Sequence, residues 1–355
     1  MNSMVDSHKL IYHPIEVAKW MQGEMIYPIN AEICLWGGCN HRCTFCCYDY
    51  VGYKPIGLEK ERFLETISSM SIKGLKSILF AGTGEPVLHP NFCEIVNKTK
   101  RKGIDLALST NGVLYTQEKI EKTLADFSWI RFSVSAGCEE TYKKIQRGAD
   151  GDFARVLKNI CDAAEYKAKN SLDVILNVQI VMTPVNINEI LLLARQVKDC
   201  GADRFIVKSI GFNINTQSDM RKVVDADFFI GHEEIKERLE EMNSDKFQTI
   251  YRSKRIETEL EERCYGECYA SPFHVCIEAN GNVCPCCNMQ GVDKYSFGNL
   301  REQSFEEIWE GIRRKEVLSE IKANNLKDCP KACKLAVMNE YLYQLKNPDK
   351  HVNFI

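Results

Sequence analysis

An alternation restricts the fold more than any other feature of this sequence. Short apolar runs fall at 31–36, 76–80, 104–108, 129–134, 173–182 and 204–208. Stretches of helical character separate them, at about 58–73, 90–102, 116–125, 152–169 and 187–200. Pro90 opens one of these helices and Gly103 ends it; Pro184 breaks off the fifth run and Gly201 closes the last helix. Strands alternating with helices build right-handed βαβ units and a parallel sheet. Such a sheet is either open and doubly wound or curved into a barrel. Both geometries gather ligands at the C-terminal ends of the strands, so functional residues are sought just after each run.

The first run leads directly into Cys39-Asn40-His41-Arg42-Cys43-Thr44-Phe45-Cys46, a C-x3-C-x2-C spacing with an aromatic residue before the third cysteine. Thiolates hold iron–sulfur clusters, usually four to a [4Fe–4S] cluster. Three local cysteines leave one iron without a protein ligand, and an open metal position can take a small molecule. The alternative is a zinc knuckle. Structural zinc is usually closed by paired ligands, and His41 would be a poor fourth ligand from inside the loop. A set of buried free thiols is a third reading, but three in so short a stretch exceed what packing needs.

The chain has 17 cysteines in 355 residues. Residues 1–30 scatter His, Lys, Glu and Pro and hold no continuous apolar segment, so they read as neither a secretory signal nor a membrane span. Cysteine richness without export argues for metal or cluster ligation in a reducing compartment, the cytoplasm, rather than a disulfide framework. Hydrophobic residues make up 45% of the chain, enough for a sizeable core. The formal net charge is −3 with no long basic run, which disfavours a nucleic-acid partner.

The cysteine loop resembles that of the radical S-adenosylmethionine (radical SAM) enzymes. The resemblance implies an α/β fold, a partial (β/α)6 TIM-like barrel placed at about residues 30–225 behind a lead-in at 1–29. It implies that Cys39, Cys43 and Cys46 hold a [4Fe–4S] cluster whose open iron chelates S-adenosylmethionine. Reduction then cleaves the cofactor to methionine and a 5′-deoxyadenosyl radical that abstracts hydrogen from substrate. After the second strand, Ala81-Gly82-Thr83-Gly84-Glu85-Pro86 is similar to the family's Gly-Gly-Glu-Pro motif, with Thr83 in place of the first glycine. Gly84 and Glu85 are thereby expected near the cofactor's amino group, where a carboxylate or carbonyl accepts from the ammonium. Ser133 and Ser135 resemble the family's ribose and carboxylate contacts, since hydroxyls both donate and accept. The acidic residue that usually follows is missing, because Ser135 runs into Ala136-Gly137. Arg147, in Lys144-Ile145-Gln146-Arg147-Gly148, either grips a carboxylate bidentately or caps its helix. Asn111, Asn177, Gln179 and Lys208 stand at or near strand ends; each could face a cavity, though a structural role is the commoner fate. Cys47 reads as a packed thiol.

From residue 263 the composition changes. Cysteines at 264, 268, 276, 284, 286, 287, 329 and 333 mark a second unit at 263–355, after a charged, helical connector at 226–262. The stretch Asn280-Gly281-Asn282-Val283 before Cys284, and Phe297-Gly298-Asn299-Leu300 before a capping box at Ser304 and Glu307, resemble the SPASM/Twitch extension of radical SAM enzymes. Such extensions carry one or two auxiliary clusters. The resemblance assigns Cys268, Cys286, Cys329 and Cys333 to one auxiliary [4Fe–4S] cluster. Four cysteines also suit zinc. Cys264, Cys276, Cys284 and Cys287 are left over without a family spacing. Cys34, Cys93, Cys138, Cys161 and Cys200 read as packed side chains.

The expected function is a radical SAM enzyme supplied with electrons by a donor such as a flavodoxin or ferredoxin. Fewer than 40 residues precede the cysteine loop, less than a peptide-recognition domain needs. That favours a small polar substrate, such as a carbohydrate or nucleotide sugar undergoing dehydrogenation, epimerisation or decarboxylation. A maturase acting on a ribosomally made peptide or protein is the alternative. A non-catalytic metal-binding interaction protein is a further one, but it leaves the residues at the strand ends unexplained.

Overall fold

The structure is a computed structural model and describes residues 8–211, 213–224, 228, 231–252, 262–330 and 333–354. The six expected strands are β1 (Asn30–Ile33), β2 (Ser77–Phe80), β3 (Asp105–Thr110), β4 (Phe127–Ser133), β5 (Ile175–Met182) and β6 (Arg204–Ser209). They pair in that order and all in parallel. After α1 (Pro14–Met21) come the crossover helices α2 (Lys60–Ile72), α3 (Phe92–Lys100), α4 (Gln117–Thr123), α5 (Glu139–Gln146), α6 (Asp152–Lys169) and α7 (Ile190–Asp199).

The sheet is wider than the sequence led us to expect. A seventh strand, β7 (Gln248–Arg252), lies parallel to β6. It falls in the segment read as a helical connector, which therefore needs correcting. The short α8 (Met220–Val223) precedes that segment, and α9 (Glu233–Glu240) is its one described helix. Thr249, Ile250 and Tyr251 are β-formers, but charged neighbours hide them in the sequence. Residues 225–227, 229–230 and 253–261, which include the expected start of that connector, lie outside the described residues. At the opposite edge, β8 (His274–Ile277) pairs parallel with β1 and turns back through β9 (Asn282–Cys284) to β10 (Gly298–Asn299). The cysteine-rich segment thus extends the same ten-stranded sheet.

Strand residues alternate between two chemistries, as the period of two demands. Ile78, Phe80, Leu106, Leu108, Ile130, Phe132, Val178 and Val207 face the helices and join the main hydrophobic core. The alternate positions carry Glu32, Ser109, Arg131, Ser133, Asn177, Gln179 and Lys208. The sheet curves so that this polar face encloses a cavity at the strand ends. Beyond β10, α10 (Phe305–Glu310) opens with the expected capping box between Ser304 and Glu307. It buries Trp309, whose indole donates to the Ile26 carbonyl at 2.8 Å. Helices α11 (Ile312–Ala323) and α12 (Ala336–Lys346) complete the chain. One expectation about cysteines fails here. Cys161 on α6 and Cys200 at the end of α7, read as packed thiols, are joined by a disulfide.

Candidate active site

A cavity of about 230 Å³ lies at the C-terminal ends of β2 to β6. Cys39, Cys43 and Cys46 line it together with Gly82, Thr83, Gly84, Glu85, Asn111, Ser133, Gln179 and Lys208. The cysteine loop is held by its backbone. The amides of Thr44 and Arg42 donate to the carbonyls of Ile145 (2.8 Å) and Gln146 (3.2 Å). These are orphan carbonyls of the last turn of α5, so the loop caps that helix. Arg42 donates back to the carbonyls of Cys39 (2.6 Å) and His41 (2.7 Å), and its guanidinium lies 4.2 Å from the ring centre of Tyr53. Thr216 donates to the Cys46 carbonyl at 3.3 Å, and Ser218 donates to that of Thr44.

His41 pins the loop from within. It is 1% exposed, its Nε2 lies 3.2 Å from Asp152 Oδ2, and its ring packs edge-on against Tyr142. A Cβ at Gly148 would stand 2.8 Å from that Nε2. A histidine between two cysteines is the one trace of this arrangement in the sequence.

The thiols themselves point to a cationic guest. Burial pushes Cys39 up to about 12, helped by the Glu85 carboxylate. Burial, then the charges of Cys46 and Cys39, push Cys43 well above its usual range, and burial also raises Cys46. Three thiolates in one poorly solvated wall oppose each other's ionisation. A metal core bound to the sulfurs reverses that logic and deprotonates them outright. The residues present therefore fit a thiolate-held cluster.

Gly82-Thr83-Gly84-Glu85 lies against this loop. The Glu85 amide donates to the Gly38 carbonyl at 2.8 Å. At Gly84 a Cβ would stand 2.2 Å from the Trp36 carbonyl oxygen and 2.6 Å from that of Gly38, so only glycine fits. Thr83 places its hydroxyl 3.2 Å from Cys34 Sγ. Both Glu85 carboxylate oxygens have partners. Oε1 accepts from Thr110 Oγ1 (2.7 Å) and the Val87 amide (3.1 Å), and Oε2 accepts from the Asn111 amide (2.7 Å). Burial raises this carboxyl, and those donors pull the other way. Glu85 thus ties the second strand end to the third, and Asn111 continues the tie to Asn40 at 2.8 Å.

The other expected contacts divide. Ser133, Asn111, Gln179, Lys208 and Cys47 line the cavity. Ser135 is not among the lining residues. Its amide donates to Gln146 Oε1 (2.6 Å), its hydroxyl accepts from the Val181 amide (3.2 Å) and its carbonyl accepts from Asn186 (2.8 Å). It fastens the ends of β4 and β5. Arg147 is exposed, ends α5 in the left-handed region (φ 50°) and is also absent from the lining. Its charge still reaches Cys43, where it opposes the rise in that thiol. Asn177 donates to the Ile130 carbonyl at 3.0 Å, deeper in the sheet.

In the C-terminal segment the cysteines form two groups. Burial and the charges of Cys287, Cys333, Cys268 and Cys329 push Cys286 well above the usual thiol range, which brings the four expected auxiliary ligands into one neighbourhood. Burial and the charges of Cys333 and Cys268 push Cys329 up to about 12. Asn339 points its amide at Cys268 Sγ (3.9 Å) and Asn288 at Cys333 Sγ (3.8 Å), and the Leu335 amide donates to Cys333 Sγ at 3.4 Å. Arg263 braces the bend before Cys333 by donating to the carbonyls of Cys329 (3.1 Å) and Pro330. Lys331 and Ala332 lie outside the described residues. Cys276, Cys284 and Cys287 form the second group, and Cys264 is exposed.

Residues 33–197 match the radical SAM superfamily, and residues 268–334 match the SPASM iron–sulfur cluster-binding domain. The chain belongs to the radical SAM enzymes and carries a C-terminal SPASM domain. Its cofactors are accordingly a [4Fe–4S] cluster, S-adenosylmethionine and an auxiliary cluster. Among its relatives is the tungsten-containing aldehyde ferredoxin oxidoreductase cofactor-modifying protein of Pyrococcus furiosus, 25% identical over 78% of this chain and 79% of that one. The AdoMet-dependent heme synthase of Methanosarcina barkeri is 26% identical over 78% of this chain and 80% of that one. In fold the chain is similar to Streptococcus suis SuiB, crystallised with the precursor peptide SuiA. The TM-score is 0.67 at 17% identity, over 96% of this chain and 78% of that one. Among the described residues no helix is long and apolar enough to cross a membrane.

Proposed function

We propose that Cys39, Cys43 and Cys46 ligate the S-adenosylmethionine-binding cluster, that Cys268, Cys286, Cys329 and Cys333 ligate the auxiliary one, and that hydrogen is taken from a small polar substrate held in the cavity. The observation that carries this reading is the convergence of three thiols and the polar ends of β3 to β6 on one cavity. With its cofactors bound, the site supplies a 5′-deoxyadenosyl radical, and the auxiliary cluster can take up the electron released when the substrate radical is oxidised.

The chain's own residues position and exclude. Gly84 lets the second strand end lie against the cysteine loop, leaving its main-chain carbonyls to receive the cofactor's ammonium while Glu85 holds the neighbouring strand. Ser133, Asn111 and Gln179 offer hydroxyl and amide groups that suit the ribose and carboxylate. Ser135 and Arg147 act from outside the cavity, the first by fixing the end of β4 and the second by its charge. Burial of the wall keeps water from the radical.

A small polar substrate, such as a sugar or nucleotide sugar, suits the hydroxyl, amide and ammonium groups of the cavity wall. The P. furiosus and M. barkeri relatives carry names that refer to a cofactor and to heme, both non-peptide molecules. A peptide substrate is the second reading. It is favoured by the fold shared with SuiB and by likeness to the subtilosin biosynthesis protein AlbA of Bacillus subtilis. Anaerobically reconstituted protein given reductant and S-adenosylmethionine is expected to form 5′-deoxyadenosine, and Cys43→Ala to form none. Equal yields from both would overturn the assignment of the cysteine loop. Deuterium passing into 5′-deoxyadenosine from a labelled sugar, or instead from a labelled peptide, decides the substrate class.

A further inference from the structure

The polar face of the sheet carries cationic side chains where no cluster ligand lies. Arg131 stands on β4 two residues before Ser133, one pleat deeper in the barrel. Its Nε and one Nη donate to the Ser109 hydroxyl, at 3.3 and 3.0 Å, and Ser109 lines the cavity. Its guanidinium also lies 5.7 Å from the ring centre of Trp129. Walled in by neighbouring strands, Arg131 still keeps accessible surface, so it borders the open interior. Lys208 on β6 lines the cavity, and Arg252 on β7 is its Cα partner, so these two stand side by side on one face. Two strands separate Arg131 from Arg252, yet the Arg252 charge reaches the Arg131 guanidinium. The curl of the sheet gathers the three cationic side chains at the floor of the cavity.

Like charges brought together inside a barrel repel, and burial adds to the cost. Burial and the Arg252 charge both work against the Arg131 guanidinium. An arginine does not relieve this by losing its proton. The Glu32 carboxylate on β1 offsets part of the cost, but Glu32 also serves Lys334. Among the described residues Arg131 makes no ion pair, and its side-chain hydrogen bonds go to Ser109. The remaining N–H groups of its fork are the kind that grip a carboxylate or phosphate bidentately. Lys208 and Arg252 need not be unpaired to join in, since each carries more N–H groups than one partner uses. A floor meant for packing would carry apolar side chains, as Ile130 and Phe132 do on the opposite face of the same strand.

We propose that Arg131, Lys208 and Arg252 form an oxyanion subsite that anchors a phosphate or carboxylate group of the substrate. The inference rests on the reading of the cavity as the substrate site, and it narrows that reading: the small polar substrate is an anion. The subsite is separate from the groups suited to the cofactor. Arg131 lies a pleat below Ser133, and Arg252 stands on β7, beyond the strand ends that carry those groups. An anchored anion fixes which carbon meets the radical, because a bidentate grip sets orientation as well as affinity.

Equilibrium dialysis of the anaerobically reconstituted chain, saturated with S-adenosylmethionine, against inorganic phosphate and separately against acetate tests it. The intact chain is expected to bind at least one of the two, and the tighter of them names the group. Arg131→Gln and Arg252→Gln should each weaken that binding by about tenfold. Arg131→Lys, which keeps the charge but not the fork, should fall between. Iron content and melting midpoint on the same samples show whether each variant has folded. Arg252 lies on the edge strand, so its variant carries the test should Arg131→Gln fail to fold. Binding of neither anion by the intact chain, or binding undiminished in the folded glutamine variants, would overturn the proposal. So would binding that S-adenosylmethionine abolishes, which would give these residues to the cofactor's own carboxylate. Formation of 5′-deoxyadenosine by the intact chain, assayed alongside, keeps the two readings apart. A chain that forms it but binds neither anion loses the subsite alone. A chain that forms none, yet binds an anion through Arg131, loses the assignment of the cysteine loop and keeps the subsite.

Discussion

The cysteine loop of the barrel and the cysteine hairpin of the C-terminal segment solve one problem in opposite ways. Both bring thiols together where burial opposes their ionisation. In the loop all three lie on one short segment, and the surroundings shape that segment through backbone contacts: carbonyls from α5, glycine at 84, a histidine wedge. In the C-terminal segment the thiols come from separate pieces of chain, and tertiary packing alone brings them together. The loop is a local device seated in a rigid frame; the hairpin is a non-local device that must be folded before it can bind.

This contrast makes the glycines unequal. At Gly84 the nearest atoms an added Cβ would meet are all backbone of residues 36–38, the Trp36 oxygen at 2.2 Å. Gly84→Ala is expected to cost about 3 kcal/mol as overpacking, read as a melting midpoint lower by roughly 4 °C. It should also lose the irons of the loop site. Gly281 in the β8–β9 turn has φ of 95°, but an added Cβ there meets only side chains, of Asn299, Leu58 and Arg301. Gly281→Ala is expected to cost about 1 kcal/mol, the left-handed penalty alone. Equal losses from the two substitutions would break the distinction.

The two sites should also separate in their chemistry. Cys43→Ala is expected to abolish 5′-deoxyadenosine. Cys286→Ala should still form it, because the loop site is intact, while losing most of the substrate product. The ratio of 5′-deoxyadenosine to product, measured by liquid chromatography, therefore rises in Cys286→Ala. If that variant instead lost both in parallel, the auxiliary set would be part of the radical-forming machinery. A smaller effect is expected from Asp152→Ala, which leaves buried His41 without its carboxylate. The loss should be about 1–3 kcal/mol. Iron is expected to leave the loop site on dilution before it leaves the C-terminal site, as followed by their separate paramagnetic signals.

The same contrast governs how much could be read from the chain. The six barrel strands were legible because short runs rich in β-formers alternate with helical stretches, the pattern of βαβ units. The three-cysteine loop was legible because its ligands are neighbours in sequence. Strand β7 was hidden among charged residues. Ser133 and Ser135 are alike in sequence, two residues apart, yet the first reaches the cavity and the second is consumed by Gln146, Val181 and Asn186. Which serine of a strand end points inward depends on where the strand stops. Glu85 was recognisable as a motif residue, but its occupation by Thr110 and Asn111 depends on a strand that arrives later in the chain. The grouping of Cys276, Cys284 and Cys287 needed the hairpin register, which no spacing rule announced.

A last and smaller effect concerns the frame of the loop. His89, at the rim of the second strand end, is buried, and burial lowers its pKa from the ordinary 6.5. Its Nδ1 accepts from the Asn91 amide at 3.1 Å and its Nε2 lies 3.3 Å from the Leu58 carbonyl, which together fix the neutral ring. In the unfolded chain the imidazole takes a proton at about 6.5; in the folded chain it resists until lower pH. The stability it contributes is therefore complete above about pH 6.5 and declines as pH falls from there towards the lowered folded value. His89→Leu should lower stability at pH 8, where the two hydrogen bonds are lost, yet flatten its slope between about pH 6.5 and 5. Denaturant midpoints at several pH values read both. A slope unchanged by the substitution would mean that another buried histidine, such as His274 on β8, sets the acid sensitivity, and would move the weak point from the loop's frame to the hairpin.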